Sequence, residues 1–408
     1  MTKQGHTNPF NIVVIVAALG YFVDVYDLIL FGIVKDSSLM AIGILDPQQI
    51  KSSGVFLLNL QLIGLILGGI VWGILGDKRG RMSTLFLTIL LYSIANIANG
   101  FVQNINQYAF LRFIAGFGLA GELGVSITLI SEVMTKETRA WGSGLVSFIG
   151  ILGAAFAFYV SKWGWKEAYW FGGTMGLMLL ALRVYVHESG MFDKLKSSSA
   201  KRGNFLILFT NKKRFLKYLS CILIGVPTWF AIGILCFFAK DFALALGVTE
   251  PIITGKAIMY HYIGASIGSL IISIISQKLK SRKKALAIAL IALAMISGWY
   301  FLSEGVSSQK FYFILFILGM AMGYWSIFVT VASEQFGTNI RSTVTTSVPN
   351  FVRGSAVLML LGWQYLEPSV GIIKSAIVVG SIVIALAFIA LSYLDESYGK
   401  DIDYMEED

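Results

Sequence analysis

Long apolar runs separated by short polar intervals dominate this chain. Twelve stretches, each near the ~20 residues that a helix needs to cross hydrocarbon, lie at 11–34, 54–75, 83–101, 107–131, 141–161, 166–187, 218–241, 253–276, 285–303, 310–333, 344–365 and 371–392. The runs are long and helical in period, which argues against a β-barrel. The longest polar interval, 188–217, divides the spans six and six. The pattern therefore predicts an all-α membrane protein of twelve transmembrane helices in two pseudo-symmetric six-helix bundles. Its parts are an N-terminal bundle (1–187), a basic linker (188–217), a C-terminal bundle (218–394) and an acidic tail (395–408). The polar start, residues 1–9, runs straight into the first span and carries no cleavable signal.

Composition agrees with this reading. With 56% hydrophobic and 13% charged residues, the chain has too little polar surface for a soluble protein of its size. Charge then fixes orientation. The net +9 resembles that of a nucleic-acid binder, but its placement is topological. With the N-terminus inside, cytoplasmic segments hold 21 Lys and Arg, outer loops hold 8, and Arg112, Arg183 and Arg353 lie in spans. Positive charge inside places both termini in the cytoplasm of a bacterial inner membrane. Basic runs such as Arg282, Lys283 and Lys284 are then topology signals, and no nucleic-acid partner is expected. Cys221 and Cys236 share one span, and His6, His187 and His261 are scattered. Neither set forms a metal site, and no cofactor is expected.

The two halves repeat the same punctuation in the same order. Gly76, Asp77, Lys78, Arg79, Gly80 and Arg81 follow the second span, and Ser276 to Ser281 follow the eighth, 200 residues later. Ser131 and Glu132 precede Arg139 as Ser333 and Glu334 precede Arg341. His187, Glu188 and Ser189 end the sixth span as Asp395, Glu396 and Ser397 end the twelfth. Such parallel repeats imply two like-oriented halves about an axis normal to the membrane.

The run from Gly73 through Asp77, Gly80 and Arg81 resembles the loop signature of the major facilitator superfamily. Arg112, Gly116, Gly118, Gly121 and Glu122 resemble its fourth-helix signature, and the tail from Glu396 through Gly399 and Lys400 is similar to the ending of its sugar porters. The likeness covers essentially the whole chain and lies nearest the sugar-porter and metabolite:proton symporter branches. It implies a monomeric secondary transporter, not an enzyme, that moves a small molecule with protons across the bilayer by alternating access. Gly116 to Gly121 also fits a dinucleotide fingerprint, and Gly264 to Gly268 a nucleophile elbow. Both motifs need a strand running into a helix, whereas here they lie inside apolar helical spans as packing positions.

Charge inside a bilayer is costly, so embedded ionisable groups are functional candidates. Asp24 and Asp27 lie three apart on one face of the first helix, where repulsion and burial favour a protonated carboxyl. With Glu122 they are the candidate proton carriers. The surrounding sequence, Gly20 to Leu28, resembles the first helix of phosphate:proton symporters. The alternative for the two aspartates is a structural pair with a neighbouring arginine, and for Glu122 a hydrogen-bonded carboxylate that packs helices. Arg353, at mid-depth four residues after Pro349, is the candidate anion receptor, because guanidinium keeps its charge and binds carboxylate or phosphate bidentately; its alternative is an internal pair with one of the carboxylates. Pro349 is expected to loosen the helix there. His261, Tyr324, Trp325 and Trp229 are candidate cavity residues, with helix packing as the alternative. Arg183 lies close enough to its helix end to snorkel and is set aside. The resemblance further implies gating roles for Asp77, Arg81, Arg112, Glu132, Arg139 and Glu188 in the first half and for Glu334, Arg341 and Glu396 in the second. Their alternative is solvated helix ends.

Departures from the sugar-porter pattern shape the substrate reading. The fifth and seventh spans lack the porters' Gln residues, and no Pro follows Glu188, Ser189 and Gly190. Gln277 replaces the acid of the second-half loop. The chain is thus expected to be a proton-coupled symporter of a small organic anion. The alternatives are a proton-driven exporter of a metabolite, siderophore or drug, or a sugar porter.

Overall fold

In the computed structural model, residues 12–79, 81–124, 139–188, 205–400 and 404–406 are described. Helices occupy each of the twelve predicted apolar stretches. In the first half they are α1 (Ile12–Ala41), α2 (Pro47–Arg79), α3 (Arg81–Asn99), α4 (Ile105–Leu119), α5 (Arg139–Val160) and α6 (Trp165–Glu188). In the second half they are α7 (Lys212–Phe230), α8 (Thr254–Leu279), α9 (Arg282–Phe301), α10 (Ser308–Met322 continued by Trp325–Glu334), α11 (Arg341–Val370) and α12 (Ile372–Tyr393). Among the described residues, nine helices are long and apolar enough to cross a membrane, and no strand occurs.

The helices depart locally from the predicted runs. α1 extends to Ala41 and α2 begins at Pro47, so both reach beyond their apolar cores. α7 passes into a π-helical turn, Ala231–Cys236, a feature that often marks functional sites. α10 is interrupted at Gly323 and Tyr324. α11 continues through Pro349 as one helix of 30 residues.

Glycines set the closest crossings, and they do so twice. Any Cβ at Gly64 would strike the Phe113 carbonyl of α4, and one at Gly68 would strike that of Phe117. In the second half Gly264 meets the Phe316 carbonyl of α10 and Gly268 that of Met320. Gly116 faces the backbone of Gln61, and Gly319 faces that of His261. The α2–α4 crossing is therefore rebuilt as the α8–α10 crossing, with backbones approaching over small residues as membrane packing favours. The two glycine motifs that mimic soluble enzymes belong to these crossings.

The halves meet on both faces of the molecule. On the face that carries the basic loops, Gly73 lies against Thr343, Gly69 against Asn350, and Gly144 of α5 against Ser273 of α8. Ser266 of α8 donates to the Phe148 carbonyl of α5 at 2.6 Å. On the opposite face, Gly32 packs on Phe237, and Gly255 on Phe158 and Ile33. Lys51 and Glu367 form a half-buried ion pair across the halves at 3.7 Å. A small space lies between these contacts.

Candidate functional site

That space is a small cavity, about 20 Å³, with room for about one water molecule. α1 contributes Tyr21, Val25 and Leu28, α5 Ile151, α7 Trp229 and Ile232, α8 Tyr262, α10 Met322 and Trp325, and α11 Arg353. Its walls are aromatic and aliphatic, and Arg353 is the one formal charge among the lining residues. Ile232 comes from the π-helical turn, which aims part of α7 at the centre.

Arg353 is 1% exposed, and a bare cation there needs a counter-charge. Asp24 of the other half supplies it, accepting from Nη2 at 3.3 Å. Nη1 donates to Asn350 Oδ1 at 3.2 Å, and the guanidinium lies 5.7 Å from the centre of the Trp325 ring. Bonding capacity remains: Asp24 Oδ1 is buried without a hydrogen-bond partner, and among the described residues Arg353 Nε and Trp325 Nε1 have only the Tyr21 hydroxyl within reach. Two donors and a displaceable carboxylate beside an apolar cavity suit an oxygen-bearing anion with a hydrophobic body.

The two aspartates of α1 part company. Asp24 reaches across to α11, whereas Asp27 faces its own bundle, with Gly172 of α6 against Oδ1. Both oxygens of Asp27 are buried, and the Asn96 side-chain amide lies within hydrogen-bonding reach of the carboxylate. Arg112 lies within electrostatic reach of Asp27. Arg112 itself donates to Asn99 at 3.1 Å and Asn96 at 2.9 Å. The Tyr169 ring centre lies 4.9 Å away, and those of Phe31 and Tyr108 lie 5.9 Å away. Neutral amides and π faces hold this cation, so it remains available to a carboxylate that gains or loses charge.

Arg183 does not snorkel. It is 3% exposed and grips Glu122 in two parallel hydrogen bonds, Nη1 to Oε2 at 3.0 Å and Nη2 to Oε1. Gly20 of α1 packs directly over the pair. Proximity to a helix end concealed Arg183 from sequence reasoning; the embedded Glu122 was the signal that an arginine should be sought nearby.

Other predicted residues scatter. Trp229 and Trp325 line the cavity, but His261 and Tyr324 do not. His261 Nδ1 bonds the Leu315 carbonyl at 3.2 Å, at the repeat position of Gln61. The Tyr324 hydroxyl donates to the Ile224 carbonyl at 3.0 Å. On the basic face Asp77 caps α11 across the halves, accepting from Ser342 N at 3.2 Å, Thr343 N at 2.7 Å and Thr343 Oγ1 at 2.6 Å. Negative charge at a helix N-terminus is favourable, so this contact holds the halves together.

Glu334 pairs with Arg282 at 3.3 Å and accepts from Ser397 at 2.7 Å. Arg341 donates to the carbonyls of Ser333 and Phe336. Glu396 caps α9, accepting from Arg282 N at 2.8 Å, Lys283 N at 3.3 Å and the Ser281 hydroxyl. Burial of Glu396 works against its ionised form. Hydrogen bonds from the Ser281 hydroxyl and from the backbone of Tyr398, Arg282 and Lys283 outweigh that and hold its pKa below the ordinary glutamate value. Arg282, read in the sequence only as a topology signal, is thus the structural centre of this cluster. Glu132 and the side chains of Arg81, Arg139 and Glu188 lie outside the described residues.

Comparison with known proteins places this geometry in context. The family described as "Major Facilitator Superfamily" matches residues 12–360. A "Probable 4-methylmuconolactone transporter" of Cupriavidus pinatubonensis is 24% identical over 86% of this chain and 83% of its own length. A "Niacin transporter NiaP" of Acinetobacter baylyi is 31% identical over 43% of this chain and 40% of its own length. A "Benzoate transport protein" of the same organism is 28% identical over 46% and 42%. The chain thus spans less than half the length of the latter two. Among solved structures, the proton:xylose symporter XylE superposes with a TM-score of 0.73 at 15% identity, covering 96% of this chain and 97% of that one. FucP in its outward conformation superposes with a TM-score of 0.71 at 13% identity, covering 95% and 99%. At such identities these two structures establish the fold alone.

Proposed function

Because this chain belongs to the Major Facilitator Superfamily, and is therefore an integral-membrane transporter of small molecules rather than an enzyme, we propose that it is a proton-coupled symporter of a small organic anion. The observation that carries this reading is the Arg353–Asp24 pair, which joins the two halves beside the central cavity. An incoming anion competes with Asp24 for Arg353. The displaced carboxylate cannot remain charged and unpaired in an apolar site, so it takes a proton. Binding of anion and proton are thereby linked without a separate device. Asp27, opposite Arg112, is the second carrier of the proton, and Glu122 keeps its place with Arg183.

The cavity walls favour a compact, flat body carrying a carboxylate. Similar proteins are named for transport of 4-methylmuconolactone, niacin and benzoate, all small ring compounds. The basic face is taken as cytoplasmic under the positive-inside rule, and Asp77, Glu334, Arg341 and Glu396 belong to its closure. Import is the direction proposed.

Uptake into proteoliposomes containing the purified chain tests the proposal. An imposed external acidity should drive accumulation of labelled benzoate or nicotinate, while xylose should not accumulate. Accumulation of xylose with no movement of either acid, or anion uptake indifferent to the pH gradient, overturns it.

A further inference from the structure

Asn350 of α11 is 2% exposed and touches three partners that the transport reading leaves unconnected. Its Nδ2 donates to the Thr346 carbonyl of its own helix at 2.7 Å. The same nitrogen donates to the Ala120 carbonyl, at the end of α4 in the other half, also at 2.7 Å. Its Oδ1 accepts from Arg353 Nη1 at 3.2 Å. A carboxamide has two N–H donors, and both are engaged by carbonyls that can only accept. The amide therefore has one orientation, because turning it over would set its oxygen against two others and its NH2 against a guanidinium. Gly69 of α2 lies against the Asn350 Cβ, at a position where any side chain would collide with it.

We infer that Asn350 is a positioning residue that makes the grip of Arg353 on its anion depend on closure of the basic face. While α4 lies against α11, the Ala120 carbonyl clamps the amide and the amide braces the guanidinium. When the halves part on that face, the Ala120 contact is lost, the amide is free to turn, and Arg353 loses a fixed partner. The anion is then held more weakly toward the cytoplasm than toward the outside, which favours release inward. By linkage, a filled anion position must favour closure of the basic face to the same extent. In the empty protein Asp24 occupies that position. The inference rests on the proposed anion role of Arg353 for its meaning in transport, but the coupling itself exists without any substrate.

The test uses that independence. In the full chain with Cys221 and Cys236 replaced by Ser, Ser273→Cys reports on the basic face, because a Cβ on Gly144 would lie within 2.8 Å of the Ser273 hydroxyl across the two halves. Labelling of this cysteine by a maleimide is measured with no ligand present. Asn350→Ala should speed labelling by about threefold or more, the scale of a lost hydrogen bond. Arg353→Gln should speed it too. The double variant should label more slowly than the sum of the two single effects predicts, since part of the signal from Arg353 passes through the amide and the rest is the lost Asp24 pair across the halves. Additive effects of the two substitutions, or unchanged labelling in Asn350→Ala, overturn the inference. Should Asn350→Ala not fold, Asn350→Asp replaces it in the same cycle, since a carboxylate still accepts from Arg353 but cannot donate to Ala120. Asn350→Asp must then speed labelling and Arg353→Gln must add less than it does in the parent, and any other pattern overturns the inference. Benzoate binding, measured separately on the same variants, reports on the transport reading: its absence sinks that reading and leaves the labelling result standing.

Discussion

The two six-helix halves share their crossings and differ in their chemistry. Gly64 and Gly68 seat α2 on α4 as Gly264 and Gly268 seat α8 on α10. Yet the first half buries Asp24, Asp27, Glu122, Arg112 and Arg183 within its membrane helices, whereas the second buries Arg353 beside the cavity and Arg282, Glu334 and Arg341 at the helix ends of its basic face. One half is rich in charge buried along its helices. To the cavity the other presents a single cation, Arg353, and an aromatic wall, Trp229, Tyr262 and Trp325. Duplication supplies a scaffold whose backbone contacts must be kept, since a glycine crossing tolerates no side chain. Residues facing the centre are free of that constraint and can diverge.

The contrast can be broken at its sharpest point first. Exchanging Asp27 for Asn should abolish accumulation of labelled anion driven by a pH gradient while leaving anion exchange intact. Accumulation that survives the change assigns proton carriage elsewhere. Arg353→Gln should remove anion binding, and Arg353→Lys, which keeps charge but loses the fork, should weaken it by about tenfold or more. Unchanged affinity in titrations of either variant ends the role assigned to this arginine.

Next in size comes the buried pair of the first half. Glu122→Gln leaves Arg183 uncompensated and should cost about 3–5 kcal/mol of stability, read as a lower melting temperature. Removing both charges together should restore much of it; a double variant as unstable as the single one points to a role beyond mutual neutralisation. Asp77→Asn weakens the cap on α11 and should raise cysteine labelling from the basic face several-fold. The smallest effect belongs to Glu396. Its pKa is depressed in the folded protein, so its stabilising contribution is complete above the usual glutamate value of about 4.3 and is lost as pH falls through the lower folded value. Thermal melts of Glu396→Gln should lack that acid-side component, and identical pH profiles in the two proteins would remove it from the closure.

Much of this was legible in the chain. Embedded carboxylates and Arg353 stood out because charge in hydrocarbon is rarely idle. What stayed hidden had no such mark. Asn350 is neutral, and its importance arises from a carbonyl on α4, 230 residues away. Arg183 resembled a helix-end arginine until Glu122 was found within its reach. Arg282 looked like any basic loop residue, but its guanidinium meets Glu334 and its backbone N–H meets Glu396. His261, conspicuous as an embedded histidine, turned out to bond a carbonyl at a helix crossing.

The sequence by itself determined that twelve apolar stretches would become helices, that they would form two related halves, and which family signatures they carry. Each of these is a local or periodic property: hydrocarbon demands length and internally satisfied backbone bonds, and repeats are visible as repeats. Only the tertiary structure decided who faces whom. It turned Asp24 toward the other half and Asp27 toward its own, although the two are three residues apart on one helix. It gave Arg112 amides and rings in place of a bound carboxylate. Those outcomes depend on how twelve helices rotate and lean against one another, and that is set by contacts between residues far apart in the chain.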